Sequence, residues 1–216
     1  MDLIEAMKSV GTCRSFRAEP VPDVVLWKAI DAARFGPQGG NRQPVRFVIV
    51  SDAEPKRRLG ELYLEQWKPY VRRLAEEAAK APALRASPRG GPADAFAQAF
   101  GQHPAIVVVC AHLESLLATD SELGRLSIVG GASVYPIVQN FMLALRDQGV
   151  ASALTTLLCA REPEVRDLLG IPEDYATACH IAVGYPARSF PRHLSRRPVE
   201  ELAFWQRFDG PPLACD

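Results

Sequence analysis

Net charge, paired cysteines and long apolar runs are what this 216-residue chain has least of. Lys plus Arg number 25 and Asp plus Glu number 25, so the formal charge is zero. A surface built for nucleic acid or an anionic membrane needs an excess of positive charge, and neither is expected as a partner. The five cysteines (Cys13, Cys110, Cys159, Cys179, Cys215) are odd in number and never form a Cys-x-x-Cys pair. That spacing argues against a disulfide framework or a zinc ribbon. Cys110, Cys159 and Cys179 lie in apolar stretches and read as small core residues. The longest apolar run, Ala105 to Ala111, is far too short for a membrane span. The start, Met1-Asp2-Leu3-Ile4-Glu5, has no basic segment leading into an apolar one, so a soluble, cytoplasmic protein is expected.

Chemical signatures are missing too. No Gly-x-Gly-x-x-Gly follows a predicted strand, and there is no Walker-type phosphate loop. There is no His-Glu-x-x-His, the four histidines do not fall at ligand spacings, and no Gly-x-Ser-x-Gly elbow holds a nucleophile. An enzyme with so little machinery of its own leaves the chemistry to a cofactor.

What is present is a core and a clear pattern. Hydrophobic residues make up 48% of the chain, enough for one domain spanning 1–216 without staples. Leu3, Ile4, Met7 and Val10 have helical spacing, and a second helix opens at Val21-Pro22-Asp23 and runs to about Phe35. The spacing predicts a strand over Val45 to Val50, a helix over Lys56 to Lys80, and a fully apolar strand over Ala105 to Ala111. Val134, Ile137, Val138, Phe141, Met142 and Leu145 mark a central core helix, with Gly149 as its cap. A strand at Ala151 to Thr155, a helix at Glu162 to Leu169 and a strand at Thr177 to Val183 follow. Residues 81–93, rich in Pro and Gly, are expected to form a mobile loop, and 184–216 a C-terminal arm. Uneven strand–helix alternation suggests an α+β sandwich rather than a doubly wound sheet.

Three polar segments stand out. Arg14-Ser15-Phe16-Arg17 follows a helix, and guanidinium forks beside a hydroxyl suit a phosphate. Arginines there also suit the helix's C-terminal dipole. Pro37-Gln38-Gly39-Gly40-Asn41-Arg42-Gln43-Pro44 allows close backbone approach to a ligand, or simply makes a helix-to-strand turn. Ser195-Arg196-Arg197-Pro198 reads as a solvated basic tail when taken alone.

Taken in order, these segments resemble the nitroreductase family of FMN enzymes. The resemblance runs on through Gly131-Ala132-Ser133, Gln139-Asn140, Gly149, Leu168-Leu169-Gly170-Ile171-Pro172, Gly184-Tyr185-Pro186 and Arg197-Pro198. It implies a three-layer α/β/α sandwich around a mostly antiparallel sheet, in an intertwined homodimer with FMN at the interface. It implies that Arg14 and Ser15 hold the FMN phosphate, joined by Arg196 or Arg197. Arg17 would stand beside the pyrimidine edge of the flavin. Gln38, Gly39 and Asn41 would reach FMN from the other subunit, and Thr155, Thr156 and Leu157 would pass its N5. Cys13, Gln38 and Val45 depart from the residues often found in the family at those places. The implied reaction takes hydride from NADH or NADPH to a small electron-poor acceptor such as a nitroaromatic or quinone, with residues 56–80 and the following loop as a lid. The same fold hosts heterocycle dehydrogenation and flavin fragmentation, and a non-catalytic flavin-binding role also stays open.

Overall fold

A computed structural model describes residues 1–80, 91–191 and 194–215. The helices are α1 (Leu3–Ser9), α2 (Asp23–Ala33), α3 (Ala53–Lys80), α4 (Pro92–Gln98), α5 (Tyr135–Asp147) and α6 (Glu162–Leu169). The strands are β1 (Val45–Val50), β2 (Ala105–His112), β3 (Ala151–Thr155) and β4 (Tyr175–Gly184), in the order β1-β2-β4-β3. Every pairing between them is antiparallel.

Strand alternation creates two cores. Along β2, Ala105, Val107, Val109 and Ala111 point to one face, while Ile106, Val108 and Cys110 point to the other. The first set packs with Leu26, Ala29 and Ala33 of α2 and with Ile137, Phe141 and Leu145 of α5. The second packs with Leu59, Leu62 and Tyr63 of α3, Phe96 of α4 and Val165 of α6. Helices cover both faces, and three layers result. The apolar stripe of α5 faces the first core as its period predicts. Gly149 (φ 75°) follows α5, and Gly170 (φ 63°) caps α6, both in the left-handed region that favours glycine. Asp2 caps α1 through the amides of Ile4 (2.9 Å) and Glu5 (3.1 Å).

Three details differ from the sequence pattern. Residues 81–90 of the expected loop lie outside the described residues, but Pro92 and Ala93 belong to α4. Proline fits the first turn of a helix, and Phe96 and Ala97 anchor this one in the second core. Helix α3 starts at Ala53, three residues before the predicted Lys56. The apolar residues of α1 are turned outward: Leu3, Ile4 and Met7 are exposed, while Ala6 and Ser9 are buried.

The second core also fixes α3. A Cβ on Gly60 would lie 2.8 Å from the Gly101 amide, and one on Gly101 would lie 2.5 Å from the Lys56 carbonyl. The two backbones therefore touch, and Lys56 Nζ donates to the carbonyls of His103 (2.9 Å) and Pro104 (3.1 Å). This contact sets where the downstream face of α3 points.

Candidate functional site

The basic turn is strapped down on both sides. The Cys13 amide donates to the Ser152 carbonyl of β3 at 2.9 Å. On the other side, Arg17 N–H bonds Tyr185 O and Ala187 N–H bonds Ser15 O, each at 2.9 Å. Phe16 pairs with Pro186 in an isolated bridge and turns inward, edge-on to His103 at 4.9 Å. With Phe16 held inside, Arg14, Ser15 and Arg17 are left facing solvent. The segment just beyond Gly184 thus holds the turn, which gives the start of the C-terminal arm its structural role.

Two cavities meet at Thr12 and Arg14. The larger, about 710 Å³, is lined by Arg14, Ser15, Arg17 and Arg188 among others. Among the described residues no carboxylate pairs with Arg14, whereas Arg17 pairs with Glu19 at 3.2 Å and lies over the Tyr185 ring at 5.1 Å. Ser15, Arg14 and Arg188 together offer the donors and charge that a phosphate dianion requires.

The smaller cavity, about 260 Å³, is lined by Arg14, by Thr155, Thr156 and Leu157, and by residues of α3 and α4. The Leu157 amide donates to Thr155 Oγ1 at 3.2 Å, and that hydroxyl lies 3.4 Å from Tyr63 Oη. Burial pushes the Tyr63 phenol up, opposed by Thr155 and the nearby Arg14 guanidinium, so it stays protonated at neutral pH.

The chain therefore brings six of the sequence-predicted residues together: Arg14, Ser15, Arg17, Thr155, Thr156 and Leu157. Gln38, Gly39 and Asn41 sit elsewhere, in and beside a 3₁₀ turn at Gly39–Asn41 against the start of α5. There the Gly39 amide donates to Ser133 Oγ at 3.0 Å and Gln38 Nε2 to the Arg34 carbonyl at 3.3 Å. Gly40 (φ 60°) and Asn41 (φ 51°) take left-handed backbone there. Arg196 and Arg197 are exposed and line neither cavity.

Sequence reasoning missed Arg188, and it gave residues 56–80 as a lid without naming the side chains of α3 that wall the smaller cavity. The wall had a readable signal: Tyr63, Trp67, Tyr70, Val71 and Leu74 repeat at helical spacing. Arg188 had none beyond its place after the last strand.

Comparison with known proteins agrees with this architecture. A curated NADH dehydrogenase from Thermus thermophilus is 28% identical over 209 residues, covering 89% of this chain and 90% of the relative. An iodotyrosine deiodinase from Nematostella vectensis is 23% identical over 203 residues, covering 93% and 74%. Among solved structures, an iodotyrosine deiodinase bound to FMN and 3-iodo-L-tyrosine superposes with a TM-score of 0.73 at 22% identity, over 96% of this chain and 100% of that one. The NADPH:FMN oxidoreductase of Vibrio harveyi, complexed with NAD+, gives 0.67 at 18% identity, over 96% and 78%. Residues 10–185 match the model of the family described as the Nitroreductase family, and the chain belongs to that family.

Proposed function

We propose that this chain is an FMN-dependent oxidoreductase that passes hydride from NADH or NADPH to small electron-poor acceptors such as nitroaromatics or quinones. The observation that carries the reading is Arg14, a cation without a carboxylate partner among the described residues, placed where a polar cavity joins an aromatic one. The donor set fits FMN. Arg14 and Ser15, with Arg188 and with Arg196 or Arg197 from the arm, would hold the phosphate. Thr155, Thr156 and Leu157 would border the flavin ring, and bound FMN supplies a hydride carrier at N5.

The enzyme works as a homodimer in this reading. The exposed area of 13652 Å² exceeds the roughly 9,800 Å² of a compact monomer of this mass. Large apolar side chains stand in solvent on α1, on 113–128 and on 199–213, among them Leu126 and Phe208. A second copy would cover them, and its Gln38, Gly39 and Asn41 would complete the site. The whole of 1–216 acts as one domain. Among the described residues no helix is long and apolar enough to cross a membrane, and a cytoplasmic location suits the free thiols.

Arg17 has a separate role: its charge lowers the energy of the anionic reduced flavin by preorganised electrostatics. Arg17→Ala is expected to lower the reduction potential of the bound flavin, read by dye-equilibrated titration. An unchanged potential would remove Arg17 from the pyrimidine edge. The reading as a whole is tested by the absorbance spectrum of the purified protein before and after anaerobic NADH or NADPH. Flavin bands that bleach support it. Bands that persist leave a flavin-binding protein with another donor, and no bands after adding FMN overturn it.

The deiodinase relatives supply a second reading, in which the acceptor is an iodinated amino acid. The aromatic cavity bears on that choice.

A further inference from the structure

We propose that Trp67, held in place by Asp94, is the specificity-determining wall of the smaller cavity, selecting flat uncharged aromatic acceptors and rejecting zwitterionic amino acids of similar ring size. The inference rests on the FMN reading of the site and narrows its acceptor.

The wall is built by helical spacing. Tyr63, Trp67, Tyr70 and Leu74 project from one face of α3 into the cavity, and Phe96 of α4 closes the side. The rings are ordered as a stack. Phe100 and Tyr63 lie 4.2 Å apart at 6° between planes, and Tyr63 and Trp67 lie 6.3 Å apart at 16°. Tyr63 is buried in the second core, so the stack is anchored from beneath.

Trp67 is also pinned at its polar end. Its indole Nε1–H donates to Asp94 Oδ1 at 2.8 Å, a bond that joins α3 to α4. Asp94 is thereby turned onto the indole and does not line the cavity. A pinned, half-buried indole presents its face to a ligand at little cost in rotamer entropy, which suits recognition of a flat ring.

Charge decides what the cavity rejects. Among its described lining residues Arg14 is the sole charged side chain, and that cation is assigned to the phosphate. No carboxylate there can pair with an ammonium, and burying an ammonium without a partner is unfavourable. A neutral quinone or nitroarene brings no such group.

The test compares 1,4-naphthoquinone with 3-iodo-L-tyrosine on the FMN-loaded enzyme, reading kcat/KM for each and the FMN content of every variant. The wild type is expected to favour the quinone by about a hundredfold. Trp67→Ala should cut that preference about tenfold, because charge keeps the amino acid's ring from the indole and only the quinone loses a stacking partner. Asp94→Leu should move the ratio the same way, while Asp94→Asn, which keeps an acceptor for the indole, should restore it. A wild type that turns over both compounds equally well, or a ratio unmoved by Trp67→Ala, overturns the proposal. If NADH and NADPH fail to reduce the flavin, the hydride reading fails by itself. Quenching of tryptophan fluorescence by naphthoquinone then decides the present point: Trp27 and Trp205 are exposed and remain in Trp67→Phe, so only the saturable part of the quenching should be lost there, and its persistence would count against Trp67.

Discussion

Replacing Arg14 with alanine is expected to weaken FMN binding by about 2–3 kcal/mol, roughly 30- to 160-fold, as for truncating one partner of a charged hydrogen bond. The geometry explains why this residue outweighs its neighbours. Arg17 already has Glu19 and the Tyr185 ring as partners, so a phosphate must compete for it. Arg14 has no carboxylate to give up among the described residues, and it borders both cavities. Titrating the apoprotein with FMN, followed by flavin fluorescence, measures the loss directly. Arg14→Lys should fall between wild type and alanine, because it keeps the charge without the planar fork. An alanine variant that binds FMN like wild type would move the phosphate away from the basic turn.

Much of the fold could be read from local signals, and the unread parts have a common cause. The β1 boundaries coincide with the β-branched and aromatic run at Val45 to Val50, and those of β3 with the predicted Ala151 to Thr155. The α5 stripe and the cap at Gly149 were equally plain, because period and backbone conformation are written into a few neighbouring residues. Helix α4 was not legible. It has seven residues, and its place depends on the Trp67–Asp94 bond and on Phe96 meeting Tyr63, contacts made across the sequence. The outward face of α1 could not be read either, since apolar spacing predicts a helix without saying which body covers it.

The site divides along the same line. Arg14 and Ser15 announced themselves by residue type, and the structure sets Arg14 beside Thr155 to Leu157, some 140 positions away, through the bond from Cys13 to Ser152. Composition could not foretell that meeting; the resemblance to a family carried it. The aromatic wall of α3 was present as a periodic stripe, yet Trp67 acquires its meaning from the unpaired cation opposite and the absence of acid among the described lining. Gln38, Gly39 and Asn41 line neither cavity within one chain, and only in the proposed dimer would a second copy bring them there.

Acid is expected to unfold the protein at a pH where its carboxylates are still largely ionised. His180 is fully buried in β4 with both ring nitrogens unpartnered among the described residues, and burial pushes it down to about 4. Its strand neighbours are Val108 and Thr155. His103 is pushed down to about 4 as well, first by burial and then by the Lys56 cation, against a bond to Phe96 that raises it. An unfolded histidine titrates near 6.5, so below that pH the unfolded chain takes up protons that the folded chain refuses. The stability these two side chains contribute is complete above about pH 6.5 and falls away towards pH 4, by about 3 kcal/mol for each. Urea unfolding at fixed FMN concentration should therefore show a loss of about 3–4 kcal/mol between pH 7 and pH 5, a large share of a typical domain's stability. The slope should approach two protons per chain, and His180→Leu should remove about one of them. If that variant does not fold, the wild-type slope still decides, because a curve flat from pH 7 to pH 5 would mean that neither imidazole is kept neutral by burial. Thr155 stands directly across the ladder from His180, so unfolding of these strands removes a border of the cavity. Release of FMN and loss of the fold should then share one acid midpoint, and flavin release at a pH well above unfolding would uncouple the two.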